Sequence, residues 1–240
     1  MDVFIVTGTS KGIGFELSRQ LRVKGNKVIG IARTVPTGAE DFVAADLAQM
    51  EDLAELMASL IDEHREAATS FTLMNNAGMV DPIGLIGSVS AEEMTTAMAV
   101  NLTAPMILSN AFIAKLQDFK GTKRIVNISS GAGRNPYEGW GTYCATKAGL
   151  DHFSRVVALE QANAAYPVEI VSIAPGIIDT GMQETIRASQ EEAFPLLERF
   201  IDYKEQGLLS SAEQTAEKLI LFMEKEDFQA VGPIVDIRNF

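Results

Sequence analysis

Short, nearly continuous apolar runs recur along this chain, each followed by a turn or a longer stretch of helical periodicity, and no other feature restricts the fold so sharply. The runs are "DVFIVT" (2–7), "NKVIGIA" (26–32), "DFVAA" (41–45), "SFTLMN" (70–75), "KRIVNIS" (123–129), "VEIVSIA" (168–174) and "GPIVDI" (232–237). A strand that is apolar on successive residues has both faces covered, which is the condition of a parallel sheet with helices on each side. Helical patterns over 12–24, 49–66, 90–118, 142–164 and 212–224 supply the covers. The alternation predicts βαβ units in a doubly wound α/β sheet, with one domain spanning 1–240. The longest interruption, 181–210, is amphipathic and partly helical and follows the sixth strand. Ligands of open α/β sheets sit outside the carboxyl ends of the strands, so this segment is expected to form a lid over a substrate.

Composition narrows the partners. A net charge of −12 repels nucleic-acid phosphates and anionic membrane surfaces, so neither is expected to bind. No window approaches the roughly 20 apolar residues of a membrane span, and "MDVFIVTG" lacks a basic start followed by a long apolar run. The single cysteine, Cys144, cannot form an internal disulfide. A reducing, cytoplasmic location is the expectation. His64 and His152 stand alone without metal-ligand spacing, and Cys144 reads as a small buried hydrophobe, so no metal site is expected.

The first strand runs directly into "TGTSKGIG" (7–14) and then a helix. Gly8, Gly12 and Gly14 allow a tight turn and close approach of backbone to ligand, while the helix start offers free N–H groups to a phosphate. Ser10, Lys11 and Ile13 lie in the same loop. The spacing differs from G-x-G-x-x-G, since three residues separate the first two glycines and one separates the last two. The second strand ends in "GIARTVP", with Arg33 and Thr34 where an acid would favour a ribose 2′-hydroxyl. Together with Lys11, Arg33 favours a 2′-phosphate, hence NADP(H) over NAD(H). Asp46 and Leu47 end the third strand, placed to meet an adenine ring. Asn76, Ala77 and Gly78 end the fourth, where small residues let backbone lie against a cofactor; both stretches could also be simple turns.

Tyr143 and Lys147 stand four residues apart on one helical face. Ser130 precedes Tyr143 by thirteen residues, Asn101 lies in the 90–118 helix, and "APGIIDTGM" follows the sixth strand. This ordered set resembles the short-chain dehydrogenase/reductase family over essentially the whole chain. The resemblance implies seven parallel strands in the order 3-2-1-4-5-6-7. It implies Tyr143 as proton donor or acceptor, Lys147 as its electrostatic partner and a ribose ligand, Ser130 as donor to the substrate oxygen, and Asn101 as anchor of a water-mediated relay. It also places Pro175, Gly176, Ile178 and Thr180 at the cofactor. The chemistry is consistent with such residues: hydride attack on a carbonyl builds negative charge on oxygen, and that charge must meet donors already in place.

Pro136, Tyr137, Trp140 and Met182 would form an apolar, aromatic-rich wall suited to a bulky or aromatic ketone. Within the family, "NNAGMVDPIG", "NPYEGWGTYCATKAGLD" and "VDIRNF" resemble the branch of bacterial benzil reductases that form (S)-benzoin, itself similar to sepiapterin reductases. That implies stereoselective reduction of one carbonyl of an aromatic 1,2-diketone with NADPH. A pterin or other ketone reductase would use the same residues. A non-catalytic NADP(H)-sensing regulator is the reading of another class, and the presence of both Tyr143 and Lys147 speaks against it. The family commonly pairs through the helices near 90–118 and 142–164, so a homodimer or homotetramer is implied and a monomer stays open.

Overall fold

The computed structural model describes residues 1–34 and 41–240. In chain order the first half forms β1 (Asp2–Thr7), α1 (Gly12–Val23), β2 (Lys27–Ala32), β3 (Phe42–Ala44), α2 (Leu53–His64), β4 (Ser70–Asn75), α3 (Ala91–Met98) and α4 (Ala104–Lys115). The second half forms β5 (Thr122–Ile128), α5 (Gly141–Gln161), β6 (Glu169–Ala174), β7 (Ile178–Asp179), α6 (Gly181–Arg187), α7 (Leu197–Glu205), β8 (Ser210–Ser211), α8 (Ala212–Lys225), α9 (Phe228–Val231) and β9 (Ile234–Asp236). Seven strands make one parallel sheet in the order β3-β2-β1-β4-β5-β6-β9. Leaving aside the short pair β7–β8, that is the expected 3-2-1-4-5-6-7.

Alternation along each strand divides the core in two. Val3, Ile5, Phe71, Leu73, Ile125 and Ile170 pack with Met57, Ile61, Leu108, Phe112 and Val157 of α2, α4 and α5. Their neighbours Val6, Val28, Met74, Val126 and Val171 face Leu17, Leu21, Leu219 and Phe222 of α1 and α8. Both faces are thus covered, which is why the strands read as continuous apolar runs. The apolar contacts are supplemented by buried polar bonds: Asn75 Nδ2 donates to Asn127 Oδ1 (2.8 Å) and Ser109 Oγ (3.2 Å), and Asn127 Nδ2 donates to Ser154 Oγ (2.9 Å). They tie β4, β5, α4 and α5 in one arrangement, because each group would be costly to bury alone.

The structure departs from two sequence expectations. The helix expected over 90–118 is α3 and α4 joined through a π turn at Ala99–Thr103. The turn holds Asn101, whose amide is drawn to the Met79 backbone, and the extra residue accommodates that attachment. Second, among the described residues one stretch, Ala91–Lys115, is long and apolar enough to cross a membrane by length and composition. Ala104, Leu108 and Phe112 are fully buried in the core formed with the sheet and α2, whereas Met98 and Met106 are exposed, so the stretch packs one face into the protein's core.

The 181–210 segment leaves and returns at one place. Ile178–Asp179 pairs in parallel with Ser210–Ser211, and Ser210 N donates to Ile177 O (3.0 Å). The insertion therefore hangs as a closed loop from the carboxyl end of the sheet, carrying α6 and α7.

Candidate active site

A cleft of about 650 Å³ opens along the carboxyl ends of the strands. At its floor the loop between β1 and α1 turns at Gly8, whose φ of +72° suits glycine, and a Cβ there would come within 2.8 Å of the Ala77 main chain. Gly14 has no room for a side chain beneath the Gly8 carbonyl and the Asn76 amide, so it packs the loop from behind without lining the cleft. Asn76 Nδ2 donates to Thr7 O (2.9 Å) and Gly8 O (3.3 Å), while Thr7 Oγ1 accepts from Asn76 N and Ala77 N (both 3.0 Å). The ends of β1 and β4 are thereby locked side by side. No side chain caps α1, which leaves the N–H groups of its first turn for an anion.

Ser10, Lys11, Gly12, Ile13, Arg33, Asp46, Leu47, Asn76, Ala77, Gly78, Pro175, Gly176, Ile178 and Thr180 all line this cleft. Thr34 is exposed and lies outside the lining. The Lys11 ammonium rests against Gly181, where a Cβ would lie 3.3 Å away. It lies near the start of α6, while Arg33 stands at the end of β2, where the 2′-position is expected. These residue types suit a dinucleotide: small or glycine residues along the floor, a helix start for phosphate, and a cation at the end of β2.

Two of the catalytic candidates, Tyr143 and Lys147, lie on α5. Its buried positions Thr142, Tyr143, Thr146, Lys147, Leu150, Asp151, Ser154 and Val157 form a stripe at helical spacing, so Tyr143 and Lys147 belong to the inward face. Lys147 Nζ donates to Ile128 O (2.8 Å) at the end of β5 and sits 5.8 Å from the centre of the Tyr143 ring. Burial lowers the Lys147 ammonium to about 8, and the Asp151 carboxylate one turn along works the other way. Burial pushes the Tyr143 phenol up to about 12, opposed in part by the Ser130 hydroxyl. Ser130 follows β5 and caps a short turn, its Oγ accepting from Ala132 N (3.1 Å). Asp151 is itself held by Ser172 Oγ (2.7 Å) and Arg134 Nε (3.1 Å).

Asn101 stands one layer behind. Its Oδ1 accepts from Met79 N (2.9 Å) and its Nδ2 donates to Met79 O (2.8 Å), so the side-chain amide is committed to buckling the π turn to the loop after β4. A Cβ on Gly78 would lie 3.4 Å from that Oδ1 and 3.7 Å from Lys147 Nζ, which places Gly78 between the two.

Beyond Tyr143 the cleft becomes aromatic. Tyr137, Trp140 and Met182 line it as expected from sequence, but Pro136 is exposed and does not. The loop bends outward at Pro136 and brings Tyr137 inward, with Trp140 N closing the bend on Tyr137 O (3.2 Å). Gly139, at φ +80°, lets that bend pass against Ala193 and Phe194. Phe200 and Tyr203 of α7 complete the wall and were not singled out from sequence; their i, i+3 spacing on an amphipathic helix was the available signal. Trp140 stacks on Phe194 (4.8 Å, 14°) and meets Phe200 at 5.1 Å and Tyr143 at 5.5 Å. Among the described residues no cluster of His, Cys, Asp or Glu could hold a metal.

The sheet order, the glycine loop at α1 and the Ser130–Tyr143–Lys147 grouping define an oxidoreductase that acts between CH–OH and C=O with a nicotinamide cofactor. The chain belongs to the short-chain dehydrogenase/reductase family, whose model, described as short chain dehydrogenase, matches residues 2–191. It is 41% identical over 239 residues to benzil reductase ((S)-benzoin forming) of Bacillus cereus, covering 95% of this chain and 96% of the relative. It is 30% identical to the sepiapterin reductase of Mus musculus, covering 98% and 95%. Among solved structures, the KRED1-Pglu enzyme superimposes with a TM-score of 0.84 at 26% identity, covering 98% of this chain and 100% of that one.

Proposed function

We propose that this protein is an NADPH-dependent carbonyl reductase that stereoselectively reduces one carbonyl of an aromatic 1,2-diketone, as in benzil to (S)-benzoin. The observation that carries the reading is the aromatic wall of Tyr137, Trp140, Phe200 and Tyr203 meeting the buried Tyr143 in one cleft. Identity of 41% to a benzil reductase over nearly the whole chain supports the same substrate class. In this reading the first turn of α1 and the loop from Gly8 to Ile13 hold the pyrophosphate, Arg33 pairs with the 2′-phosphate, and Asp46 and Leu47 flank the adenine.

When bound, reduced nicotinamide supplies the hydride. The chain's part is to receive the charge that then grows on the substrate oxygen. Ser130 Oγ and the Tyr143 phenol donate to that oxygen, and Tyr143 gives up its proton to it. A phenol held near 12 is fully protonated at neutral pH, which suits donation in the reducing direction. The Lys147 ammonium beside the ring then offsets the phenolate charge. Asn101 anchors the proton-relay side of the site through Met79 and the π turn. α6 and α7 cover the substrate end and exclude water, the role assigned to 181–210 within a single domain.

A panel of benzil, a sepiapterin-type pterin, quinones and steroid ketones, ranked by kcat/KM with NADPH and with chiral analysis of products, tests the reading. Benzil is expected to rank first with one benzoin enantiomer in large excess. A pterin turned over far faster than benzil would replace the diketone reading with the pterin one.

A further inference from the structure

Asp151 is a buried charge that the proposed mechanism leaves unused. It is 1% exposed and lies on α5 one helical turn beyond Lys147 and two beyond Tyr143, so the three share the inward face of that helix. Ser172 Oγ of β6 donates to its Oδ1 (2.7 Å), and Arg134 Nε, in the loop after β5, donates to its Oδ2 (3.1 Å). Both carboxylate oxygens are thereby pinned. Arg134 is fixed in turn, its Nη2 donating to Val235 O (2.9 Å) and Ser172 O (3.4 Å).

Burying a carboxylate is costly unless its charge answers another. Tying α5 to β6 does not require one, since a neutral amide can also accept from a serine hydroxyl. Arg134 answers the charge only in part, because it is partly exposed and also helps to hold the Asp236 carboxyl of β9 low. Lys147 is the cation that is buried outright. Its Nζ bonds to a neutral carbonyl, Ile128 O (2.8 Å). The groups around it from the neighbouring elements are uncharged as well: the Tyr143 phenol on α5, the Ser130 hydroxyl after β5, and the Asn101 amide of the π turn across Gly78. Among the described residues Asp151 is the carboxylate that acts on the ammonium. The two form no direct ion pair, but charges a helical turn apart in a dry interior are weakly screened.

We infer that Asp151 is a positioning residue for the reduction: acting through space on Lys147, it keeps the ammonium charged beside Tyr143, and Arg134 sets how strongly it does so. The inference rests on the Tyr143–Lys147 reading above and holds whichever ketone is reduced. Asp151→Asn removes the anion and leaves Arg134 facing Lys147, so the ammonium should release its proton at lower pH. Arg134→Gln removes a cation and leaves the anion, so release should move to higher pH. A tie that served only to join α5 to β6 would be harmed alike by either change.

The test follows the Cε resonance of isotope-labelled lysine through a pH titration of the cofactor-free protein, with Lys147→Met used to assign the signal. Wild type, Asp151→Asn, Asp151→Glu and Arg134→Gln are compared. The midpoint is expected to fall by about one pH unit or more in Asp151→Asn, to rise in Arg134→Gln, and to stay near the wild-type value in Asp151→Glu. The descending limb of kcat/KM against pH, measured with benzil and NADPH, should move in the same direction as the midpoint in each variant. A midpoint unmoved by Asp151→Asn, or one that moves the same way in Asp151→Asn and Arg134→Gln, would overturn the inference, as would a limb that stays in place while the midpoint moves. Should Asp151→Asn fail to fold, the direction of the Arg134→Gln shift decides. A wild type that turns over no benzil overturns the diketone reading, while the lysine titration still judges Asp151.

Discussion

The Lys147 ammonium lies one helical turn from Tyr143, 5.8 Å from the centre of its ring, and both side chains are buried on the inward face of α5. The ring face attracts that cation, but removal of the ammonium from water is the larger effect and holds its pKa below the ordinary lysine value.

That arrangement has a measurable cost. Burial brings Lys147 from its ordinary 10.5 down to about 8, so between those values the unfolded chain binds a proton that the folded chain has released. Stability from this group consequently rises with pH across that window, and at pH 7 the charged lysine is destabilising. Lys147→Met is expected to raise the melting temperature of the cofactor-free protein at pH 7 by a few degrees, on the order of 1 kcal/mol or more, while abolishing reduction. In the wild type, kcat/KM for reduction should fall as pH rises through about 8, where the lysine loses its charge. A melting temperature that drops in the variant would show that the bond to Ile128 O outweighs the burial of charge.

Arg33 lines the cleft at the end of β2, where a 2′-phosphate and a 2′-hydroxyl would be told apart. Arg33→Asp exchanges an attractive charge for a repulsive one. The ratio of kcat/KM for NADPH to that for NADH should fall by at least tenfold. An unchanged ratio removes Arg33 from the cofactor assignment.

Phe200 is 6% exposed and touches Trp140, Phe194 and Tyr203. Phe200→Ala opens a hole in the aromatic wall and should cost about 3–5 kcal/mol of stability where the wall does not collapse around it. KM for benzil should rise severalfold, whereas KM for biacetyl, which has no rings to hold, should change little. Equal changes for both would assign Phe200 to packing alone.

Much of the fold and part of the site are written in local patterns that a reader can follow. The strands β1, β2 and β4 to β6 are legible because both of their faces are buried, so Ile5 and Val6 are equally apolar although they serve opposite halves of the core. Tyr143 and Lys147 are legible because helical spacing alone puts them on one face. The π turn at Ala99–Thr103 is not, since a single inserted residue leaves no period to detect and its cause, the bonding of Asn101 to Met79, is a contact between distant segments. Pro136 and Tyr137 are adjacent in a loop, where no periodicity says which one turns inward. Phe200 and Tyr203 read as the apolar side of an ordinary amphipathic helix until β7 and β8 pair and hang that helix over the cleft.

Under the proposed function Tyr143 delivers the proton to a carbonyl of an aromatic 1,2-diketone. This step is tested most directly by NADPH consumption with benzil in wild type and Tyr143→Phe, measured beside NADPH affinity. Rapid turnover to one benzoin enantiomer is expected in the wild type, with a loss of about 100-fold or more in kcat in the variant and cofactor binding within severalfold of normal. A Tyr143→Phe protein that reduces benzil at near the wild-type rate would contradict it.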